Sequence, residues 1–208
     1  MHLHPLGRLF LGCLLALPGL ATAQTFSSGS TEADGPFNPP ASVPPGTTVS
    51  GSTYTVPLPP SGVFHFTTIS LPSGTAVKFA KNASNTPVIL LASGNVTIAG
   101  ILDVNGASAT TYGRPGQGGP GGFSGGPGAD GGFTSWYGTP GLGPGGGGMA
   151  YKAPGAGGGF GTAGTAGTCY AGSYDCAGAG TAAAGPAYGS PTLRPILGGS
   201  GGAGGYGV

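Results

Sequence analysis

Glycine returns at every third position through long stretches of the second half of this chain. Gly113, Gly116, Gly119, Gly122, Gly125, Gly128 and Gly131 keep that interval, as do Gly155, Gly158, Gly161, Gly164 and Gly167, and again Gly198, Gly201, Gly204 and Gly207. A beat of three matches neither the turn of an α-helix nor the two-residue alternation of a strand. It is the period of polyproline II, which has three residues per turn and no internal hydrogen bonds. Glycine at every third position leaves one face bare, so neighbouring backbones can approach and pair their N–H and C=O groups. The expectation is a bundle of short polyproline II segments within one chain. The runs are too short, interrupted and proline-poor for a collagen-like triple helix. A flexible, partly disordered linker is the alternative, because ordering so many glycines is entropically costly. A linker needs no register, however, and does not account for Phe123, Phe133, Trp136, Phe160 and the many tyrosines.

The chain before this region follows other rules. Short β-branched and aromatic runs stand between turn-forming clusters: Thr53–Val56, Val63–Ile69, Ala76–Phe79, Val88–Leu91, Val96–Ile98 and Ile101–Val104. Such runs between Pro/Gly/Asn/Ser breakers argue for strands. Glu, Lys, Gln and Arg are scarce, and no helix is expected beyond the leader. Strands of about four residues recurring after turns of a few residues suggest coils of a β-solenoid, with an antiparallel sandwich as the alternative. The fold class is therefore mainly β: a short right-handed β-solenoid-like region over residues 50–106, then a glycine-rich region over 107–208. Residues 24–49, with Asn38-Pro39-Pro40 and Val43-Pro44-Pro45, read as an extended or disordered linker.

The first 23 residues read as a secretory signal peptide. Arg8 supplies the charge, Leu9–Leu20 the short apolar run, and Ala21-Thr22-Ala23 a small-x-small cleavage site. The apolar run is too short for a membrane span and is interrupted by Pro18. A lipoprotein-type modification at Cys13 is the weaker alternative, since the apolar run continues past it. An exported chain makes a disulfide between Cys169 and Cys176 the preferred state over two free thiols. Closing that short loop would contribute about 2.5 kcal/mol. A zinc site is improbable, with His65 the sole imidazole beyond the leader.

Charge excludes several functions. Charged residues are 5% of the chain, against roughly 25% in an ordinary domain. Beyond residue 23 five acidic residues balance five basic ones. A neutral surface favours self-association and lacks the basic patch that nucleic acid requires. Catalytic candidates are few. Glu32 and Asp34 read as solvated linker residues, Asp103 as the end of a coil, and His65 as a solvent-facing residue between Phe64 and Phe66. No Ser-His-Asp order, HExxH motif or paired carboxylate appears. The glycine strings lack the strand, helix and acidic residue of a dinucleotide-binding motif, so no cofactor and no enzyme is implied. Asn82-Ala83-Ser84 and Asn95-Val96-Thr97 are sequons, relevant only in a glycosylating host.

The stretch from Pro87 through Gly106, followed by Gly118–Phe123 and Leu197–Gly202, resembles uncharacterised secreted bacterial proteins in which β-helix-like coils run into a glycine-rich insertion. That resemblance spans roughly residues 50–208 and carries no known catalytic residues. In that pattern strands resume after the glycines, whereas this chain stops at Tyr206-Gly207-Val208, the expectation for a fragment or truncated frame. The triplet region separately resembles the polyproline II bundles of springtail antifreeze proteins and phage tail-fibre adhesins. These features point to a structural or adhesive surface protein. Trp136, Tyr137 and Tyr151, among several tyrosines that include Tyr188, are its candidate ligand contacts, and carbohydrate or cell-surface material its expected partner. Ice binding through the Thr/Ala/Gly run 161–167 is one alternative. A β-helical polysaccharide-active enzyme using Asp103 is another.

Overall fold

The computed structural model describes residues 26–111, 113–129, 137–169, 178–190, 192 and 197–205. The expected signal peptide, Cys13, Trp136 and Cys176 lie outside these residues. The described chain is mainly β, with eight strands and no helix: β1 Gly35–Phe37, β2 Thr48–Ser50, β3 Thr53–Pro57, β4 Val63–Leu71, β5 Ala76–Ala80, β6 Ile89–Ala92, β7 Val96–Ile98 and β8 Ile101–Asp103. All six strand runs read from the sequence are present, with ends differing by at most two residues.

The chain alternates between two four-stranded sheets. One has β4 at its centre, paired with β1 and with both β6 and β7; the other runs β2-β3-β5-β8. Only β2–β3 is antiparallel, a hairpin turned through Gly51-Ser52. Every other pairing is parallel. Thr53 pairs with Ala76 and Ala76 with Ile101, while Val63 pairs with Ile89. From β5 onward each strand thus lies on one about two dozen residues earlier. Paired residues of parallel strands point to the same side, so inward positions stack like on like. Phe64 pairs with Leu90 and Val77 with Leu102, both partners packed on the core, while Ile98, opposite Leu71, is left exposed.

The core follows from this alternation. Phe37, Val56, Leu58, Phe64, Phe66, Ile69, Leu71, Val77 and Phe79 are buried together. Phe66 stacks on Phe37 at 5.0 Å and on Phe64 at 5.4 Å between ring centroids. Such ring pairs contribute about 0.5–1.5 kcal/mol beyond their buried area. The inward phase of β4 shifts between Phe66 and Ile69, at a corner where Gly94 of the next coil donates its N–H to Thr67 O at 2.7 Å. A side chain at Gly94 would come within 2.9 Å of that carbonyl. Gly62 marks another corner, with φ +73° and its Cα against Thr86 and Pro87.

The linker expected over residues 24–49 is corrected at its centre. Gly35–Phe37 is a strand on the edge of β4, Phe37 is fully buried, and Val43 packs on the same core. A proline-rich stretch is extended by default, and an extended segment can add to a sheet edge when an apolar residue such as Phe37 faces inward. His65 is corrected with it; Asp34 remains exposed, and bonds to β4. The His65 N–H donates to Asp34 Oδ2 at 2.6 Å, the Asp34 N–H to His65 O at 3.0 Å, and the Thr31 N–H to His65 Nδ1 at 3.2 Å. The imidazole is half-buried under this lead segment rather than facing open solvent.

Beyond β8 the glycine-rich region has no strand among its described residues, yet its backbone is extensively paired. Phe123, Gly126 and Ala129 donate to the carbonyls of Gly199, Gly202 and Gly205 at 3.0, 2.8 and 3.0 Å. Both partners advance by three. A second, oppositely directed set runs from Thr139 and Leu142 to Pro127 and Ser124, and from Gly201 and Gly204 to Leu142 and Thr139. A Cβ at Gly198, Gly201 or Gly204 would fall on the carbonyls of Gly121, Ser124 and Pro127. The buried apolar side chains here are alanines: Ala129, Ala153, Ala156 and Ala182. The beat is not packed equally, because a Cβ at Gly122 would lie 3.3 Å from Gly119 O and one at Gly161 would meet nothing. The two regions join where Lys81 Nζ and Asn85 Nδ2 both donate to Gly122 O, at 2.8 and 3.0 Å.

Candidate functional site

Two places have the shape of a site. The first is a cavity of about 440 Å³ at the junction, lined by Pro87, Val88, Val104, Phe123 and Leu197 and by glycine backbone. Its lining carries no ionisable side chain, and Asn105 is its polar member. The residues singled out for chemistry lie elsewhere. Asp103 Oδ1 accepts the Asn105 N–H at 2.8 Å, a local turn that ends β8. Among the described residues no group of three or more His, Cys, Asp or Glu side chains could hold a metal. Nor is any helix long and apolar enough to cross a membrane.

The second is aromatic. Tyr137 and Tyr151 come from separate segments, and their ring centroids lie 5.6 Å apart at an interplanar angle of 54°. Tyr137 is 48% exposed and Tyr151 half-buried. Trp136, the third expected contact, lies outside the described residues. Lys152 places its Nζ 5.7 Å from the centre of the Tyr151 ring. Nothing in the residue pattern singles out Lys152; its backbone does. Tyr151 and Lys152 are the middle of a turn closed by the Ala153 N–H on Ala150 O at 3.3 Å, and Lys152 has φ +49°. Positive φ in such a turn favours glycine or asparagine. The other described positive-φ positions of the glycine-rich region, Gly113, Gly121, Gly143 and Gly178, are all glycine. A lysine there costs about 1–3 kcal/mol of backbone strain, of which a cation–π contact offsets about 0.5–1 kcal/mol at an exposed site.

Tyr188, grouped by sequence with the displayed aromatics, has an internal role instead. It meets Phe160 edge-on at 5.4 Å, and its hydroxyl donates to Gly198 O. Tyr112, Tyr170 and Tyr174 lie outside the described residues. Cys169 is disulfide-bonded, and Cys176, its expected partner, lies outside them.

Comparison with protein-family models, curated proteins and solved structures finds no match. The functional reading therefore rests on the chain's own geometry.

Proposed function

We propose that this chain is an exported, non-catalytic surface protein with a structural or adhesive role. A short right-handed β-solenoid forms its base, and a polyproline II bundle forms the part it presents. The observation that carries this reading is the three-residue step shared by both partners in the bonds from Phe123, Gly126 and Ala129 to Gly199, Gly202 and Gly205. Three residues per turn with no bonds inside the segment is the habit of polyproline II. A bundle held this way needs few side chains inside and leaves the rest for its surface. Parallel coils in two sheets support the solenoid base, and the leader and the disulfide-bonded Cys169 suit an oxidising, extracellular setting. Carbohydrate or other cell-surface material is the proposed partner, and the neutral surface favours self-association. Far-UV circular dichroism of the purified secreted chain is the test. A cooperative melt that removes a polyproline-type spectrum is expected; a non-cooperative slope would mean a linker and would sink the reading.

One observation favours a second reading, ice binding. Thr162, Thr165 and Thr168 are all exposed, while Gly164 and Gly167 between them lie against the backbone of Gly157 and Pro154. This is a regular threonine row on a fixed backbone. Thermal hysteresis that Thr165→Lys abolishes is expected on this reading, and ordinary freezing behaviour rejects it.

A further inference from the structure

We propose that two copies of this chain join through the open edges of β6, β7 and β8, so that both sheets continue across a two-fold axis. The proposal takes up the self-association in the reading above and gives it an address, but it rests on the β-region alone. β6 and β7 end one sheet and β8 ends the other. The bonds toward the neighbouring strands involve alternate residues. Ile89 and Ser93 donate to Gly62 O and Phe66 O, Asn95 O accepts from Ile69, and Ala99 and Ile101 donate to Leu71 O and Thr75 O. Backbone groups of successive strand residues point to opposite edges. The N–H and C=O of Leu90, Ala92, Val96, Ile98 and Leu102 therefore face the open edge, where no strand among the described residues pairs with them. The side chains of the same five residues lie opposite Phe64, Phe66, Ile69, Leu71 and Val77, all of them buried. They carry the core in register to the end of the β-region, and there it stops uncovered: Val96 is 54% and Ile98 47% exposed. An inward apolar row with free backbone beside it is the kind of edge to which a further strand adds.

The two ends of the β-region differ in a way that selects the occupant. At the first end, Pro36 of β1 has no N–H, its carbonyl accepts from Ser42 Oγ at 2.7 Å, and Asn38 bridges to Ser42. Exposed Glu32 and Asp34 precede it. Proline, charge and local bonding are devices that keep an edge from pairing. The last edge has none of them, for no charged residue lies between Lys81 and Asp103 and no proline within β6, β7 or β8. The glycine-rich region docks on Lys81 and Asn85 and leaves β7 clear. An uncharged edge meets a copy of itself without the repulsion of like charges placed opposite each other. Head-to-tail growth would need both sheets to continue, and the β1 edge prevents one of them. The remaining arrangement sets last edge against last edge, an isologous contact that closes at two copies.

Analytical ultracentrifugation of the purified secreted chain over a range of concentrations tests the contact, alongside hydrogen exchange and a thermal melt. A monomer–dimer equilibrium is expected, with exchange at the Val96, Ile98 and Leu102 amides slowing as the dimer fills. Ile98→Lys places a like charge on both edges and should weaken the dimer about a hundredfold. Thr97→Lys, one residue away but on the outer face opposite Ser70, should leave it unchanged. The exchange measurement on the unaltered chain decides the matter even if Ile98→Lys does not fold. A chain that stays monomeric with these amides unprotected overturns the contact, and a cooperative melt in the same sample leaves the exported scaffold standing. A monomer whose edge amides are already slow means that the chain covers its own edge, which overturns the contact as well. Polymers that lengthen with concentration and are broken by Val49→Lys, at the opposite end, reject the two-fold arrangement. A dimer that persists while the glycine-rich region melts without cooperativity keeps the contact and rejects the bundle.

Discussion

The β-region and the glycine-rich region solve the same problem with opposite materials. In the first, large side chains fill the space between two sheets, and the backbone is paired within each sheet. Phe37, Phe64, Phe66 and Phe79 supply much of that filling. In the second, the backbone itself is the filling. Carbonyls of Gly121, Ser124 and Pro127 sit where the side chains of residues 198, 201 and 204 would be, and among the described residues the largest buried apolar side chain is alanine. Removing atoms should therefore damage the first region, and adding them the second. Apolar burial drives one; satisfied backbone polar groups and close van der Waals approach hold the other.

The largest expected effect breaks the side-chain core. Phe37→Ala should cost about 3–5 kcal/mol and lower the melting temperature of the β-region by about 12–40 °C. A change under about 1 kcal/mol by denaturant titration would return residues 24–49 to the status of a linker. Next comes the smallest addition at one of the tightest glycines. Gly201→Ala should cost about 1–3 kcal/mol through overpacking and deprotect the amides of Phe123, Gly126 and Leu142 in hydrogen exchange. Unchanged protection would mean that this backbone face is not packed. The smallest effect is its control. Gly161→Ala, at a position with open space and no positive φ, should leave stability within about 0.5 kcal/mol or raise it slightly through the unfolded chain. Similar losses at Gly161 and Gly201 would erase the distinction between packed and unpacked members of the beat.

Much of this was legible in residue patterns. Six strands were, because alternating Val, Ile, Phe and Thr between Gly, Pro and Asn breakers is a local signal, and Val96–Ile98 matches to the residue. β1 was not, because Pro36-Phe37 looks like any extended Pro-rich tract until β4, some thirty residues later, lies beside it. The glycine beat was legible as a period. Which members are packed was not: Gly122 and Gly201 look alike in sequence, and only the neighbouring segment makes one loose and the other tight. Tyr137 and Tyr151 were visible as aromatics. Lys152 was hidden because turn chemistry favours glycine or asparagine there, and nothing local announces an exception.

The segment 199–205 carries a consequence for the order in which the molecule can assemble. It accepts from Phe123, Gly126 and Ala129, donates to Thr139, Leu142 and Ala156, and accepts from Gly147 through Gly201. All of these partners precede it, several by more than fifty residues. A chain emerging from its amino end would complete its sheets early, whereas the glycine segments would wait, extended and solvated, for a strut that arrives after them. Contacts of such long sequence separation form slowly. The glycine-rich region therefore has a built-in delay: its segments can stiffen together only once that strut has been made.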